Sequence, residues 1–189
     1  MKKTFLIVLL LLSCVFIFAQ LNPWLWAKKA GGTSDDHGQG IGVDASGNSY
    51  ITGYFQGTAT FGSTNLTSNG GYDIFVAKLD SSGNWLWAKN AGGTGSDGGH
   101  GIAVDASRNS YVIGYFNGTA TFGSTTLTSN GDADIFIAKL DSSGNWLWAK
   151  NAGGINYDEG NAIAVDANRN SYVAGYFQGS TTVGATFGN

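Results

Sequence analysis

The motif Trp-Leu-Trp-Ala-Lys occurs three times, 61 residues apart, as Trp24-Leu25-Trp26-Ala27-Lys28, Trp85-Leu86-Trp87-Ala88-Lys89 and Trp146-Leu147-Trp148-Ala149-Lys150. Around it, residues 24–84 and 85–145 agree without a gap at 47 of 61 positions, and a partial third copy occupies residues 146–189. A fixed period of this kind indicates a supersecondary unit that buries its apolar face by stacking on its neighbours. The sequence therefore predicts a repeat region over residues 20–189.

Residues 1–19 have the pattern of a secretory signal peptide. Lys2 and Lys3 supply a basic start, residues 5–18 an apolar core, and Ala19 a small residue at a cleavage site. The apolar run has 14 residues, whereas a membrane-spanning helix needs about 20. The sequence therefore predicts a secreted or cell-surface protein without a transmembrane span.

The single cysteine, Cys14, lies inside this segment. Cleavage after Ala19 would leave a chain without disulfide bonds. Residues 11–14 also allow a lipoprotein processing site, in which Cys14 becomes the lipid-bearing first residue. The apolar residues 15–18 disfavour that alternative, because an anchored mature chain is expected to begin with polar residues.

The charge of the chain argues against two classes of partner. The full chain has 10 basic and 13 acidic side chains, and removal of Lys2 and Lys3 leaves a net charge of −5. Nucleic acid and anionic lipid surfaces are bound through basic patches. Neither is therefore expected as a partner.

Each repeat contains four short runs rich in β-branched and aromatic residues, which predict strands at residues 40–44, 49–55, 73–79 and 85–89. The polar segments 44–48 and 80–84 predict hairpin turns, since Asp caps turn amides and Gly or Asn tolerates a positive φ. Residues 57–71 are rich in Thr, Ser and Gly and predict an excursion with one extra β turn.

The turn of the second copy differs, because Arg108 replaces the Gly47 of the first copy. Arginine is a poor residue for a positive φ. The replacement is therefore expected to weaken the turn unless the neighbouring Asn109 takes the left-handed position.

Four strands joined as a meander, with aromatic residues on both faces, are typical of a β-propeller blade. A β-solenoid is the alternative, and it is disfavoured because two hairpin turns per repeat imply antiparallel neighbours. The predicted fold is therefore all-β, with four-stranded antiparallel blades in about two and three-quarter repeats. Closed propellers have about 4 to 8 blades, so the ring is expected to be incomplete, with open blade edges that favour self-association. Either the chain is a fragment of a longer protein, which we favour, or several chains complete one ring.

Residues 101–114 and 134–145 resemble the SBBP repeat, a β-propeller repeat of bacterial secreted and cell-surface proteins. The resemblance covers nearly all of residues 24–189. It implies a propeller fold and an extracellular setting. It supplies no shared catalytic motif.

The copies differ most visibly in the loop before the first strand of each blade, which spans residues 33–39, 94–100 and 155–161. Gln39, His100 and Asn161 share one register position there and differ in hydrogen-bonding capacity. Loops on a rigid scaffold commonly carry binding specificity. The three residues are therefore candidate ligand-binding residues, and sequence drift in a solvated loop is the alternative.

Three acidic residues, Asp36, Asp97 and Asp158, also share one register and are further candidates for ligand binding at one rim. Calcium favours clustered oxygen ligands, but these residues belong to different blades and lack the spacing of an EF-hand. Turn capping is the favoured role, and no cofactor or metal is predicted.

The tryptophans of each motif occupy positions i and i+2, a spacing that puts both on one face of a regular strand. Aromatic packing between blades is the favoured role for them and for three Tyr-Phe pairs. These pairs are Tyr54-Phe55, Tyr115-Phe116 and Tyr176-Phe177. Stacking of exposed tryptophan on sugar rings is the alternative.

An enzyme is not predicted. The two histidines, His37 and His100, are 63 residues apart and so occupy different register positions, and neither belongs to a nucleophile or metal motif. The predicted function is a noncatalytic binding, adhesion or scaffold module with an extracellular protein or glycan ligand. An oligomeric, lectin-like sugar-binding propeller is the second hypothesis, and an extracellular enzyme is the third.

Overall fold

The computed structural model describes residues 25–179, and it contains only β structure in that range. Ten strands follow one another along the chain. They are β1 (Asp36–Val43), β2 (Ser49–Phe61), β3 (Thr64–Leu79), β4 (Trp85–Gly93), β5 (Gly98–Val104), β6 (Ser110–Phe122), β7 (Thr125–Leu140), β8 (Trp146–Ala152), β9 (Glu159–Val165) and β10 (Ser171–Tyr176).

The strands form two complete antiparallel blades and the first half of a third. Strands β1 to β4 pair in chain order, as do β5 to β8, and β9 pairs with β10. The blades do not close into a ring. The predicted all-β fold with four-stranded propeller blades is confirmed.

Residues 57–71 form part of a hairpin rather than the predicted excursion from the sheet. Strands β2 and β3 continue through this region as one long hairpin, with Phe61 paired to Thr64 at its tip. The pairing is interrupted only where Gly57 faces residues 68–71, which bulge out of β3. Ser68 closes the bulge by accepting a hydrogen bond from the backbone N–H of Gly57 at 2.9 Å.

The short polar turns are hairpins closed by one repeated side chain. In the β1–β2 turn, Asp44 Oδ1 accepts hydrogen bonds from the backbone N–H groups of Ser46 and Asn48 at 2.9 and 3.0 Å. Asp105 makes the same bonds in the second blade. Asn109 does not take the left-handed position in the second blade, because Arg108 itself adopts it, with φ of 66°. The Arg108 guanidinium also donates to Ser46 Oγ of the preceding blade at 3.1 Å.

The apolar core lies mainly between blades. One cluster joins Tyr50, Ile74 and Val76 of the first blade to residues of the second blade such as Phe122 and Phe136. A second cluster covers the other face of the first blade, and a third joins the second blade to β9. Each of the two complete blades therefore has apolar clusters on both of its faces, as stacked blades require.

The two tryptophans of a motif lie on opposite faces of the sheet, contrary to the expectation from their spacing. Leu79 pairs with Trp85, whereas its neighbour Lys78 pairs with Trp87, so a β-bulge at Leu86 reverses the alternation. Trp85 packs edge to face against Phe61 of its own blade, with the ring centroids 5.4 Å apart. Trp87 contacts Tyr50 at 6.1 Å on the opposite face.

Successive blades are also joined by hydrogen bonds. Trp87 Nε1 donates to the carbonyl oxygen of Ser142 in the next blade at 3.2 Å, and Trp26 repeats the contact with Ser81 at 3.1 Å. The end of β4 pairs with β6 through Gly92 and Gly93. These contacts give neighbouring blades a fixed relative position.

The outermost strands leave residues exposed that are buried in the middle of the molecule. Tyr172 on β10 is 60% exposed, whereas its register equivalents Tyr50 and Tyr111 are 0% and 2% exposed. Ile41 on β1 is 66% exposed, whereas the equivalent Ile102 is 8% exposed. The open edges predicted for an incomplete ring are therefore present at both ends of the described region.

Several sequence predictions concern residues outside the described range. They are the signal peptide at residues 1–19, the processing site at Cys14, and the first tryptophan of the first motif, Trp24. Within residues 25–179, no helix has the length and apolar character needed to cross a membrane.

Candidate functional site

The loop before the first strand of each blade is fastened by an aspartate. Asp97 Oδ2 accepts a hydrogen bond from the backbone N–H of Gly93 at 2.8 Å, and its Oδ1 accepts one from Asn117 at 3.0 Å. Asp158 makes the equivalent bonds to Gly154 and Gln178, at 2.6 and 2.9 Å. The three register-equivalent aspartates therefore close their loops. Asp97 also ties its loop to β6, and Asp158 ties its loop to the residue pair that follows β10.

These aspartates offer little surface to a ligand at the rim. Asp97 and Asp158 are both 0% exposed, while Asp36, which makes only the bond to Gly32 at 2.6 Å, is half-buried. Within residues 25–179, no cluster of three or more His, Cys, Asp or Glu side chains has a geometry that would hold a metal ion. The hydrogen bonds agree with a loop-capping role for all three residues.

A second buried carboxylate lies beside each capping aspartate in the junctions that follow the first and second blades. Asp73 Oδ1 and Asp97 Oδ2 are both 2.8 Å from the point that a Cβ on Gly92 would occupy. Asp134 and Asp158 surround Gly153 in the same way. Asp73 is 0% exposed, and its Oδ1 atom has no hydrogen-bond partner. Burial raises the pKa of both Asp73 and Asp97 to about 6, and burial also raises the pKa of Asp134 in the second junction.

Gln39, His100 and Asn161 are the extra residues of equivalent β-bulges. The register of β5 with β6 shifts between Gly99 and Gly101, which leaves His100 out of the pairing. The same shift leaves out Gln39 in β1 and Asn161 in β9. Bulges of this kind redirect a side chain and are frequent beside binding sites.

Successive inner strands approach each other closely at these bulges. A Cβ on Gly40 would lie 2.6 Å from the carbonyl oxygen of His100, and a Cβ on Gly101 would lie 3.1 Å from that of Asn161. Only glycine fits so near a neighbouring backbone. The structure therefore places the three predicted positions on adjacent strands, one from each blade.

His100 contacts an acidic and an aromatic side chain at this rim. Its Nδ1 atom lies 2.9 Å from Glu159 Oε1 in the third blade, and its ring packs against Tyr115 at 5.4 Å. Tyr157 donates a hydrogen bond to Glu159 Oε2 at 2.6 Å. Burial and the neighbouring Glu159 raise the pKa of Tyr157. His100, Glu159 and Tyr157 therefore form one connected group beside Tyr115.

A cleft of about 530 Å³ opens between the second and third blades at this rim. Its lining combines two aromatic rings with hydrogen-bonding side chains, namely Tyr115, Tyr157, Asp132, Asn117, Thr94 and Ser96. Asn117 Nδ2 donates to Asp132 Oδ1 at 2.9 Å, which holds the two side chains together. Small concave sites with a few convergent polar groups are typical places for ligand binding.

The cleft is built from the β-bulges of the long hairpins together with the variable loops. The bulge of β3 ends at Gly71, whose backbone N–H donates to the carbonyl oxygen of Gly95 at 3.1 Å. The equivalent bulge of β7 ends at Asp132, which contributes a carboxylate to the cleft. The loop of the third blade adds Tyr157.

The repeat copies differ at this cleft around a tyrosine that they all share. Tyr54, Tyr115 and Tyr176 are identical by register. Tyr72 of the first blade becomes Ala133 in the second, while Ser96 of the second blade becomes Tyr157 in the third. Tyr72 packs on Tyr54 at 5.1 Å, and Tyr157 packs on Tyr115 at 6.0 Å. A second ring therefore remains beside the shared tyrosine, although it comes from a different element in each case.

The sequence predicts that Tyr54 and Tyr115 pack in the core together with the phenylalanines that follow them. Phe55 and Phe116 are buried as expected, but Tyr54 and Tyr115 lie half-buried at the rim. The strand alternation carried this information, because adjacent Tyr and Phe residues must lie on opposite faces. The reciprocal exchange of Tyr72 for Ala133 and Ser96 for Tyr157 was a second signal, although it is recognisable only once these positions are known to be close.

Comparison with known proteins identifies the type of repeat. The SBBP β-propeller repeat matches residues 25–54 and 147–176. An uncharacterized WD repeat-containing protein, L264, of Acanthamoeba polyphaga mimivirus is 27% identical over 192 residues, which cover 83% of this chain and 14% of the relative. The regulatory protein FlaEY of Caulobacter vibrioides is 30% identical over 125 residues, which cover 62% of this chain and 13% of the relative. The chain therefore spans about one seventh of the length of these relatives.

Proposed function

We propose that this chain, which matches the SBBP β-propeller repeat at residues 25–54 and 147–176, is a noncatalytic binding and scaffold module that acts outside the cell. The observation that carries the proposal is the rim cleft, where nearly identical copies differ around a shared tyrosine. A rigid stack of blades that presents variable loops and bulges is suited to recognition. The lining combines aromatic and polar groups without a nucleophile activated by a neighbouring base, which favours binding over catalysis.

The extracellular location is supported by the sequence. Residues 1–19 have the three parts of a secretory signal, and the only cysteine lies within them. The core packing between blades supplies stability without disulfide bonds. Surface attachment through a lipid on Cys14 remains the alternative to full secretion.

The proposal is tested by the binding of the fluorescently labelled chain to intact cells of the source organism. We expect saturable binding that falls at least about tenfold in the double variant Tyr115→Ala/Tyr157→Ala, since both aromatic walls of the cleft are removed. Leu86→Ala is the matched control, because Leu86 is exposed on β4 and lies outside the cleft. Unchanged binding by the double variant, or no saturable binding by the native chain, would contradict the proposal.

Self-association through the open blade edges is a second property that we propose. It is supported by the exposure of Ile41 and Val43 at one end and of Tyr172 at the other. An unpaired strand with exposed apolar residues favours pairing with another chain. We expect light scattering on the purified protein to show a discrete oligomer. A monomer at all concentrations would refute this part of the proposal.

A further inference from the structure

We propose that the cleft between the second and third blades binds a neutral sugar residue of a glycan, stacked on Tyr115 and Tyr157 and hydrogen-bonded by Asp132 and Asn117. This inference rests on the proposed binding function and names the ligand class of the same cleft. The cleft volume of about 530 Å³ is sufficient for one or two sugar rings.

The aromatic pair provides the apolar part of the site. The rings of Tyr115 and Tyr157 are 6.0 Å apart and inclined by 44°, so they form an open V rather than a closed stack. Both rings are half-buried and line the cleft. A sugar ring presents C–H groups on its faces and hydroxyl groups around its edge. One face of the sugar can therefore lie on an aromatic ring while its edge meets polar groups.

The polar groups favour a ligand that both donates and accepts hydrogen bonds. Asp132 supplies acceptors, whereas Asn117 and the hydroxyl groups of Thr94 and Ser96 supply donors as well. An ammonium or guanidinium group of a peptide would satisfy the acceptors alone, because it has no lone pair to accept a bond. A sugar hydroxyl satisfies both kinds of partner.

The charge of the cleft also favours a neutral ligand. No basic residue contributes to its lining, and Asp132 already accepts a hydrogen bond from Asn117. A sulfated or uronic-acid glycan would place its negative charge beside this carboxylate, which is unfavourable. The partner is therefore expected to be uncharged at the bound residue.

The positions that correspond to this cleft carry different side chains around Tyr54 in the first blade. The register position of Asp132 is Gly71 in the first blade, and that of Ser96 is Asp35. The first blade therefore places its carboxylate on the loop, where Asp35 Oδ2 accepts a bond from Tyr72 at 3.4 Å. A shared tyrosine with a displaced carboxylate keeps the stacking surface and changes the hydroxyl groups that can be bound.

The test uses the full chain and four neutral oligosaccharides: cellohexaose, laminarihexaose, maltohexaose and chitohexaose. Saturation-transfer NMR identifies the ligand, and calorimetry measures its affinity. We expect at least one probe to bind, with little change between low and high salt because the ligand is uncharged. Tyr157→Ala should weaken binding about tenfold, whereas Tyr157→Phe, which keeps the ring and loses only the bond to Glu159, should bind within a few-fold of the native chain.

Tyr176→Ala is the matched control, because Tyr176 has the same register as Tyr115 but does not line this cleft. Binding by none of the four probes, or binding that survives Tyr157→Ala, would overturn the sugar assignment. If protease treatment of the cells abolishes binding of the chain and periodate treatment does not, the target is a protein rather than a glycan. That result would also overturn the sugar assignment, and it would leave the proposed binding function standing. Cell binding by the double variant Tyr115→Ala/Tyr157→Ala therefore tests the proposed binding function, whereas the oligosaccharide measurements test the sugar assignment.

Discussion

Replacement of Trp85 by alanine is expected to lower the free energy of unfolding by about 3 kcal/mol, in the range for removal of a large aromatic side chain from a packed site. Trp85 packs edge to face on Phe61 at 5.4 Å, and it covers Gly62 at the tip of the long hairpin. The second blade repeats this arrangement with Trp146 and Phe122, also at 5.4 Å. Urea unfolding followed by circular dichroism measures the loss.

Leu86→Ala supplies the matched control for this variant. Leu86 is the neighbouring residue at the β-bulge, and it is 52% exposed. Its replacement should change the unfolding midpoint little, because the side chain has few partners to lose. Native stability in Trp85→Ala would show instead that the tryptophans are an external platform, which is the alternative raised by the sequence.

Replacement of Asp73 by asparagine is expected to raise the free energy of unfolding at pH 7.5 by about 2 kcal/mol. Asp73 Oδ2 accepts bonds from the backbone and side chain of Asn69, at 3.1 and 3.3 Å, whereas Oδ1 lies unpartnered beside Asp97. Asparagine keeps an oxygen for Asn69 and turns an amide donor toward the Asp97 carboxylate. The substitution therefore replaces a repulsion between buried charges with an attraction.

The native chain should accordingly become less stable as the pH rises from about 4 to about 6. Burial raises the pKa of Asp73 and Asp97 to about 6, so the folded state holds protons in this window that the unfolded chain has released. Unfolding then releases protons, and the free energy of unfolding falls with rising pH. Urea midpoints measured at pH 5.0 and 7.5 test this, and the decrease should be smaller in Asp73→Asn.

The turn aspartates have the opposite effect on the pH dependence of the free energy of unfolding, and they act at lower pH. Hydrogen bonds from the backbone and side chain of Asn84 lower the pKa of Asp80, and Asn145 does the same for Asp141. Their stabilising effect is lost only as the pH falls below about 4, so maximum stability is expected near pH 4. Asp35→Asn is the control for charge removal, because Asp35 is exposed. An equal gain in stability in both variants, or a native chain most stable at pH 7.5, would contradict the account of the buried pair.

The fold was predictable because its main determinants are local and repeated. Strand alternation, the Asp-to-Asn turns and the 61-residue period all indicate antiparallel blades, and the structure contains them. The details that failed depend on pairing register. The sequence spacing of Trp85 and Trp87 predicts one face, but a bulge at Leu86, created by pairing with β3, moves them to opposite faces. A single chain segment carries no signal for such a shift, because it arises between two strands.

The cleft involves the loops that the sequence singled out but not the side chains proposed within them. None of the six candidate ligand-binding residues lines it, namely Gln39, His100, Asn161, Asp36, Asp97 and Asp158. The variable loops were located at one rim, and they do contribute Thr94, Ser96 and Tyr157 to the cleft. The Asp132 carboxylate was missed because it belongs to a bulge of β7, 15 residues from its partner Asn117. The importance of Tyr115 was missed because its burial is set by the neighbouring blade, whose position follows from packing rather than from local sequence.

The graded exposure of Tyr50, Tyr111 and Tyr172 implies that the blades do not open together. The first two rings are closed in by neighbouring strands, whereas the third lies on β10, whose single pairing partner within residues 25–179 is β9. In a linear array, a terminal unit supported on one side opens at lower free energy than an internal one. Amide hydrogens of β9 and β10 should therefore exchange with solvent before those of β6 and β7.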